Sequence, residues 1–205
     1  MRKIALEEHF VTPELAKYGA RTSTAAQPQL WAETSRRLLD FTQERLPEMD
    51  RFGLDVQVLS LNFPGIQAEP EAAVAVRAAL AVNDLLASVI GDHPDRFRGF
   101  AALPRQDPAA ADELERAVTQ LGLVGGLVNA HTNGKYVDDP DFSVVWERAA
   151  GLGYRSTSTR RTVWTRPTCC PATPSWWARC EFRPGGSNHR LRLGDSWMPG
   201  CGVST

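Results

Sequence analysis

Apolar and polar positions over the first three-quarters of the chain fall into two alternating rhythms. Short runs dense in strand-forming residues lie at Ile4-Ala5-Leu6, Val56-Gln57-Val58-Leu59-Ser60-Leu61, Phe97-Arg98-Gly99-Phe100-Ala101-Ala102-Leu103 and Val124-Gly125-Gly126-Leu127-Val128-Asn129. Between them, apolar residues recur at the three- and four-residue spacing of one helix face. Leu38, Leu39, Phe41, Leu46 and Met49 predict a helix interrupted near Pro47, and Phe52-Gly53 closes it. Residues 71–90 predict a long alanine-rich helix with Val74, Leu80, Leu85, Leu86 and Val89 inward. Residues 109–121, opened by the cap Asp107-Pro108, and residues 142–150 predict two more. Thr12-Pro13-Glu14 resembles a helix start, but residues 14–30 have little periodicity and read as an irregular loop. Asn62-Phe63-Pro64-Gly65 and residues 131–141 read as loops.

Strand followed by helix, four times over, predicts an α/β fold with a parallel sheet. Units of about 35–40 residues match the first half of an eight-fold TIM (β/α)8 barrel better than a complete doubly wound sheet. No strand is followed by G-x-G-x-x-G, and no G-x-x-x-x-G-K-[ST] occurs, so a nucleotide-binding reading is weak.

Charge changes this picture. The net charge of −1 gives no reason to expect nucleic acid or an anionic membrane as partner. It also hides a break. Residues 1–153 hold 15 bases against 22 acids, a net of −7, whereas residues 154–205 hold 8 arginines against 2 acids, a net of +6. The second stretch contains all four cysteines, four of the six tryptophans and no lysine. The domain division expected is four βα units over residues 1–153 and an irregular basic tail over 154–205. With no signal-like start and no uninterrupted apolar run of membrane length, the expected setting is the cytoplasm.

Candidate chemistry sits almost at the N-terminus. On a regular strand Glu7 and His9 would leave the same face, about 7 Å apart. A carboxylate and an imidazole so placed suit a borderline divalent ion such as Zn²⁺ or Mn²⁺. The competing reading is a surface strand carrying an ordinary acid and a solvated histidine.

Five segments then occur in a telling order. They are Leu6-Glu7-Glu8-His9-Phe10, Leu59-Ser60-Leu61-Asn62, Pro94-Asp95-Arg96-Phe97, Phe100-Ala101-Ala102-Leu103-Pro104 with Gln106-Asp107-Pro108, and Gly126-Leu127-Val128-Asn129. Together they resemble the N-terminal half of the metal-dependent aromatic acid decarboxylases of the amidohydrolase superfamily, related to gamma-resorcylate and 5-carboxyvanillate decarboxylase. The resemblance covers residues 3–153. It implies a TIM barrel, one divalent metal ion held in part by Glu7 and His9, and non-oxidative loss of carbon dioxide from a small hydroxylated aromatic acid. It also implies a homo-oligomer for the intact family member. Asn62 and Asn129, ending the second and fourth strands, become pocket candidates at the catalytic rim, where a structural cap or turn role competes. The remaining ligands expected by resemblance are a histidine after strand five, in a Y-L-H-P segment, and an aspartate ending strand eight.

After Gly153 the resemblance stops. Codons rebuilt from the third base of each residue and the first two of the next allow residues 154–162 to be read as V-P-L-Y-L-H-P-A-D. In the same frame Ser175-Trp176-Trp177-Ala178 reads Leu-Val-Gly, its last two residues whatever the synonymous codon. This is the signature of a frameshift, and it predicts a chain inactive for want of half its barrel. Rival readings of the tail are an Arg/Trp surface for single-stranded nucleic acid and a zinc knuckle on Cys169, Cys170, Cys180 and His189. Adjacent cysteines lack the usual zinc spacing. Two function classes stand beside decarboxylation: hydrolysis of a lactone or amide, and a non-catalytic half-barrel binding module.

Overall fold

The computed structural model of the protein describes residues 2–23, 28–129, 131–158 and 161–165. Residues 166–205, with the four cysteines, His189 and Asp195, lie outside the described residues, and so do most of the tail readings.

Strand β1 (Ile4–Phe10) pairs in parallel with β2 (Val56–Leu61), and β2 with β3 (Phe97–Gly99). Strand β4 (Ala101–Ala102) pairs in parallel with β5 (Gly126–Asn129). The third predicted run is thus divided at Phe100, where the backbone changes partner. Phe100 N–H donates to the Leu59 carbonyl (2.9 Å), whereas Ala101 N–H donates to the Gly125 carbonyl (2.8 Å). One ribbon of parallel strands results, the first half of a (β/α)8 barrel, with helices following the strands.

The helices are α1 (Pro13–Ser23), α2 (Pro28–Leu39), α3 (Arg45–Phe52), α4 (Ala72–Asp92), α5 (Ala109–Thr119) and α6 (Ser143–Gly151). Of residues 14–30, expected to be an irregular loop, 14–23 and 28–30 are helical. Pro13 and Pro28 each open a helix, where a missing N–H costs nothing, and Leu15 and Tyr18 are buried. The break expected at Pro47 falls at residues 40–44 instead. Asp40 Oδ1 accepts from Gln43 N–H (2.9 Å), and Oδ2 from the N–H groups of Glu44 and Arg45 (3.0 Å each). That carboxylate starts a new helix, and Pro47 falls in its first turn, where no N–H is needed. Gly53 ends α3 at φ +62°.

Helix α4 has the length and apolar composition of a membrane span, although Arg77 and Asp84 interrupt it. Its buried row is Ala75, Ala79, Val82, Asn83 and Leu86, while the expected core residues Leu80 and Leu85 are exposed. Small residues win that face because the sheet comes close. A Cβ on Gly99 would lie 2.6 Å from Leu86 Cδ2, so a larger residue in β3 would force Leu86 to shift.

Apolar side chains separate onto the two sides of the ribbon. Leu59, Phe97, Ala101 and Val128 pack with helix residues such as Leu86 and Leu114 in the larger cluster. Val58, Phe100, Val124 and Leu127 form a smaller one, against which Ile4 and Leu6 pack. This inner cluster is the floor of the barrel interior.

The polar loop after β5 contains a hairpin, β6 (His131–Thr132) with β7 (Lys135–Tyr136), turned by Asn133 and Gly134 at φ +50° and +80°. Two positive φ values at Asn-Gly suit a type I′ turn, a signal legible in the sequence. Residues 154–205, expected to be irregular, begin as strands β8 (Arg155–Ser158) and β9 (Arg161–Thr165). They pair antiparallel with each other, and β9 pairs antiparallel with β5.

Candidate functional site

Strand β1 is not regular where the chemistry lies. Ala5 pairs with Gln57 and Glu8 with Leu59, so three steps along β1 span two along β2. The extra residue is a β-bulge, and Glu7 sits in it at φ +57°. The alternation argument that put Glu7 and His9 on one face therefore does not hold through this segment. The bulge has a different consequence. Leu6 and His9 are three apart and would face opposite ways on a regular strand. With one extra residue between them, Leu6 reaches the inner cluster while His9 comes level with Ser60. Ser60 is two residues beyond Val58 of that cluster, so His9 lies on the inner side, above the apolar floor.

Ser60 Oγ is 2.9 Å from His9 Nδ1, and the serine is wholly buried. The His9 carbonyl accepts from Arg45 Nη2 at 2.7 Å, while Arg45 Nη1 donates to Gln57 Oε1 (3.1 Å) and Nε to the Asp40 carbonyl (3.1 Å). Burial pulls this guanidinium below its ordinary pKa, and Glu8 and Asp40 push the other way. Helix α3 thus ties down the β1 backbone just beyond the bulge.

The pocket candidates part company. Asn129 is buried at the end of β5 and lines a small crevice with Leu61, Gly65, Ala102, Leu103 and Leu127. Its Nδ2 donates to the Pro64 carbonyl (3.2 Å), and among the described residues its Oδ1 has no partner. Asn62 is half-buried outside this crevice, and its backbone N–H donates to the Phe10 carbonyl (2.8 Å).

Two rim residues escaped sequence reading. Gln67 Oε1 accepts from Asn129 N–H (2.7 Å), and its Nε2 donates to Thr132 Oγ1 (2.6 Å). Its carboxamide thereby extends the pairing of β5; no spacing rule marks such a glutamine. Arg105 is 3 % exposed, with Nη1 donating to the Asn129 carbonyl (3.2 Å), and burial pulls its pKa down to about 10. A lone arginine after Leu103-Pro104 reads as surface until its burial is seen.

One carboxylate and one imidazole, with Nδ1 engaged by Ser60, fit part of a divalent-metal donor set. The described residues hold no group of three or more His, Cys, Asp or Glu that could complete one.

Residues 9–154 match the amidohydrolase family. A gamma-resorcylate decarboxylase from Rhodococcus jostii is 49% identical over 137 residues, covering 66% of this chain and 41% of the relative. The manganese-bound dihydroxybenzoic acid decarboxylase of Polaromonas sp. JS666, solved with 2-nitroresorcinol, superposes with a TM-score of 0.67 at 40% identity, over 74% of this chain and 47% of that one. The manganese complex of 5-carboxyvanillate decarboxylase from Novosphingobium aromaticivorans gives 0.66 at 31% identity, over 74% and 48%. The chain spans somewhat under half the length of these relatives.

Proposed function

Since the chain belongs to the amidohydrolase family, we propose that it is the N-terminal half of a metal-dependent, non-oxidative decarboxylase of a hydroxylated aromatic acid. Glu7 and His9 supply two of the metal's ligands. The observation that carries this reading is the 2.9 Å contact of His9 Nδ1 with the buried Ser60, which sets the imidazole on the inner side of β1. Manganese is the metal favoured, since both neighbours named above were solved with it and oxygen with imidazole donors suit it.

When bound, the cation would hold the substrate's carboxylate and ortho oxygen and neutralise their charge. The chain's own residues do the rest of the positioning. In the tautomer whose Nδ1–H donates to Ser60 Oγ, His9 keeps the lone pair of Nε2 for the metal. Asn129 offers an acceptor at the rim, with Leu61, Ala102 and Leu127 as apolar neighbours in a crevice of about the size of a water molecule. The reaction breaks the bond between the ring carbon and the carboxyl carbon. A proton reaching that ring carbon replaces the carbon dioxide, and by family resemblance its donor is an aspartate of the second half. The described residues supply neither that acid nor a third ligand. The 205-residue chain by itself is therefore expected to bind metal weakly and not to turn over.

Manganese titration followed by electron paramagnetic resonance tests the ligands, with Glu7→Gln and His9→Ala each expected to abolish the weak site. Binding indifferent to both substitutions removes the assignment. Carbon dioxide release from 2,6-dihydroxybenzoate by the purified chain would overturn its inactivity.

A further inference from the structure

Arg105 is a buried charge that the proposed chemistry does not use. Only its Nη1 has a hydrogen-bond partner among the described residues, the Asn129 carbonyl; Nε and Nη2 have none. Its Cζ lies 3.7 Å from the centroid of the Phe142 ring and 5.5 Å from that of Trp146. Asp139 is the acid whose charge acts on it. Phe142 ends the loop that follows β5, Trp146 stands on α6, and Trp146 Nε1 donates to the Val137 carbonyl of the same loop (3.0 Å). An arginine this buried loses its hydration and recovers little of it through hydrogen bonds, so hydrogen bonding does not explain its place. What it touches is the crevice wall on one side and the rim loop on the other.

We propose that Arg105 is a positioning residue, a cation–π anchor that holds the loop of residues 131–142 against the rim at Asn129. The proposal rests on the reading that this rim is the catalytic end of the barrel. With Cζ 3.7 Å from the Phe142 centroid the guanidinium covers more of the ring than an ammonium would, so lysine is expected to hold the loop less well.

Hydrogen exchange of the 205-residue chain, read by mass spectrometry, tests it. Arg105→Leu is expected to speed exchange across residues 131–142 by about tenfold or more, leaving β2 and α4 unchanged. Arg105→Lys should fall between. Phe142→Leu should loosen the same segment, and the double variant should be no looser than either single one. An unchanged segment, acceleration spread equally through β2 and α4, or fully additive effects would each overturn the proposal. No metal or substrate enters this measurement, so its failure leaves the decarboxylase reading standing. Loss of the manganese site would in turn leave the anchor standing.

Discussion

Ser60 Oγ and His9 Nδ1 lie 2.9 Å apart, on neighbouring strands and in register. The contact exists because the bulge shifts β1 by one residue against β2; without it Ser60 would meet a different side chain. A hydroxyl there holds the ring and, where it accepts from Nδ1–H, leaves Nε2 for the proposed metal. Ser60→Ala is expected to weaken Mn²⁺ binding by about tenfold or more, while costing only about 1 kcal/mol of stability. Manganese titration with a parallel urea melt measures both. Equal affinity in the variant would show that the hydroxyl does not orient the ring.

Glu7 carries a conformational cost at a position where the proposed chemistry needs a carboxylate. At φ +57° a non-glycine residue is strained by about 1–2 kcal/mol. Function and stability should therefore separate at this position. Glu7→Gly is expected to leave stability unchanged or raise it by up to about 1 kcal/mol, relief of strain being partly offset by the freer unfolded chain. Glu7→Val should lose about 1–3 kcal/mol, because a β-branched residue resists that region. Both should lose the metal. A valine variant as stable as the glycine one would remove the positive φ from the account.

The sequence announced the order of strands and helices because buried strands and helix faces each write a periodic signal. Helix α4 illustrates the limit. Its extent was legible, but its inward face was read from large residues such as Leu80 and Leu85, whereas the buried row is Ala75, Ala79, Val82, Asn83 and Leu86, with Leu86 packed against Gly99. Thr12-Pro13-Glu14 marks the start of α1 and Leu38 and Leu39 the end of α2, but the rest of both reads as loop although each has an apolar face, on which Leu15 and Tyr18 of α1 are buried. For the site, Glu7 and His9 were singled out by residue type and resemblance, but the bulge was not foreseen, since one extra residue leaves no mark in composition. Gln67 and Arg105 matter through contacts 62 and 24 residues distant in sequence, beyond any local rule.

Asn83 stands at the centre of a buried polar staple. Its Nδ2 donates to the Ala102 carbonyl (3.0 Å) and to Glu113 Oε1 (2.6 Å), and its Oδ1 accepts from Ala102 N–H (2.9 Å). One side chain of α4 thereby completes the short strand β4 and ties α5 to it, with Glu113 also held by Arg116. Asn83→Leu leaves both backbone groups of Ala102 and a buried carboxylate oxygen without this partner. The expected loss is about 3 kcal/mol or more, read from the urea midpoint. A loss below about 1 kcal/mol would mean that water replaces the amide.

Tyr18 on α1 donates its hydroxyl to Glu69 Oε2, beyond β2, and Glu71 N–H donates to Oε1 at 3.0 Å. Chiefly through the tyrosine, then through that N–H, the Glu69 carboxyl is held below its ordinary pKa of 4.5, against some desolvation. The sign follows directly. A carboxyl whose folded pKa is depressed binds its proton more readily in the unfolded chain, so its stabilisation is full above the unfolded value. It is lost as pH falls through the folded one. Tyr18→Phe removes the principal cause, so the stability gap between wild type and variant should narrow as pH falls below about 4.5. Urea midpoints from about pH 7 down to about pH 3 measure that gap. A constant gap would mean that Tyr18 secures α1 by packing alone.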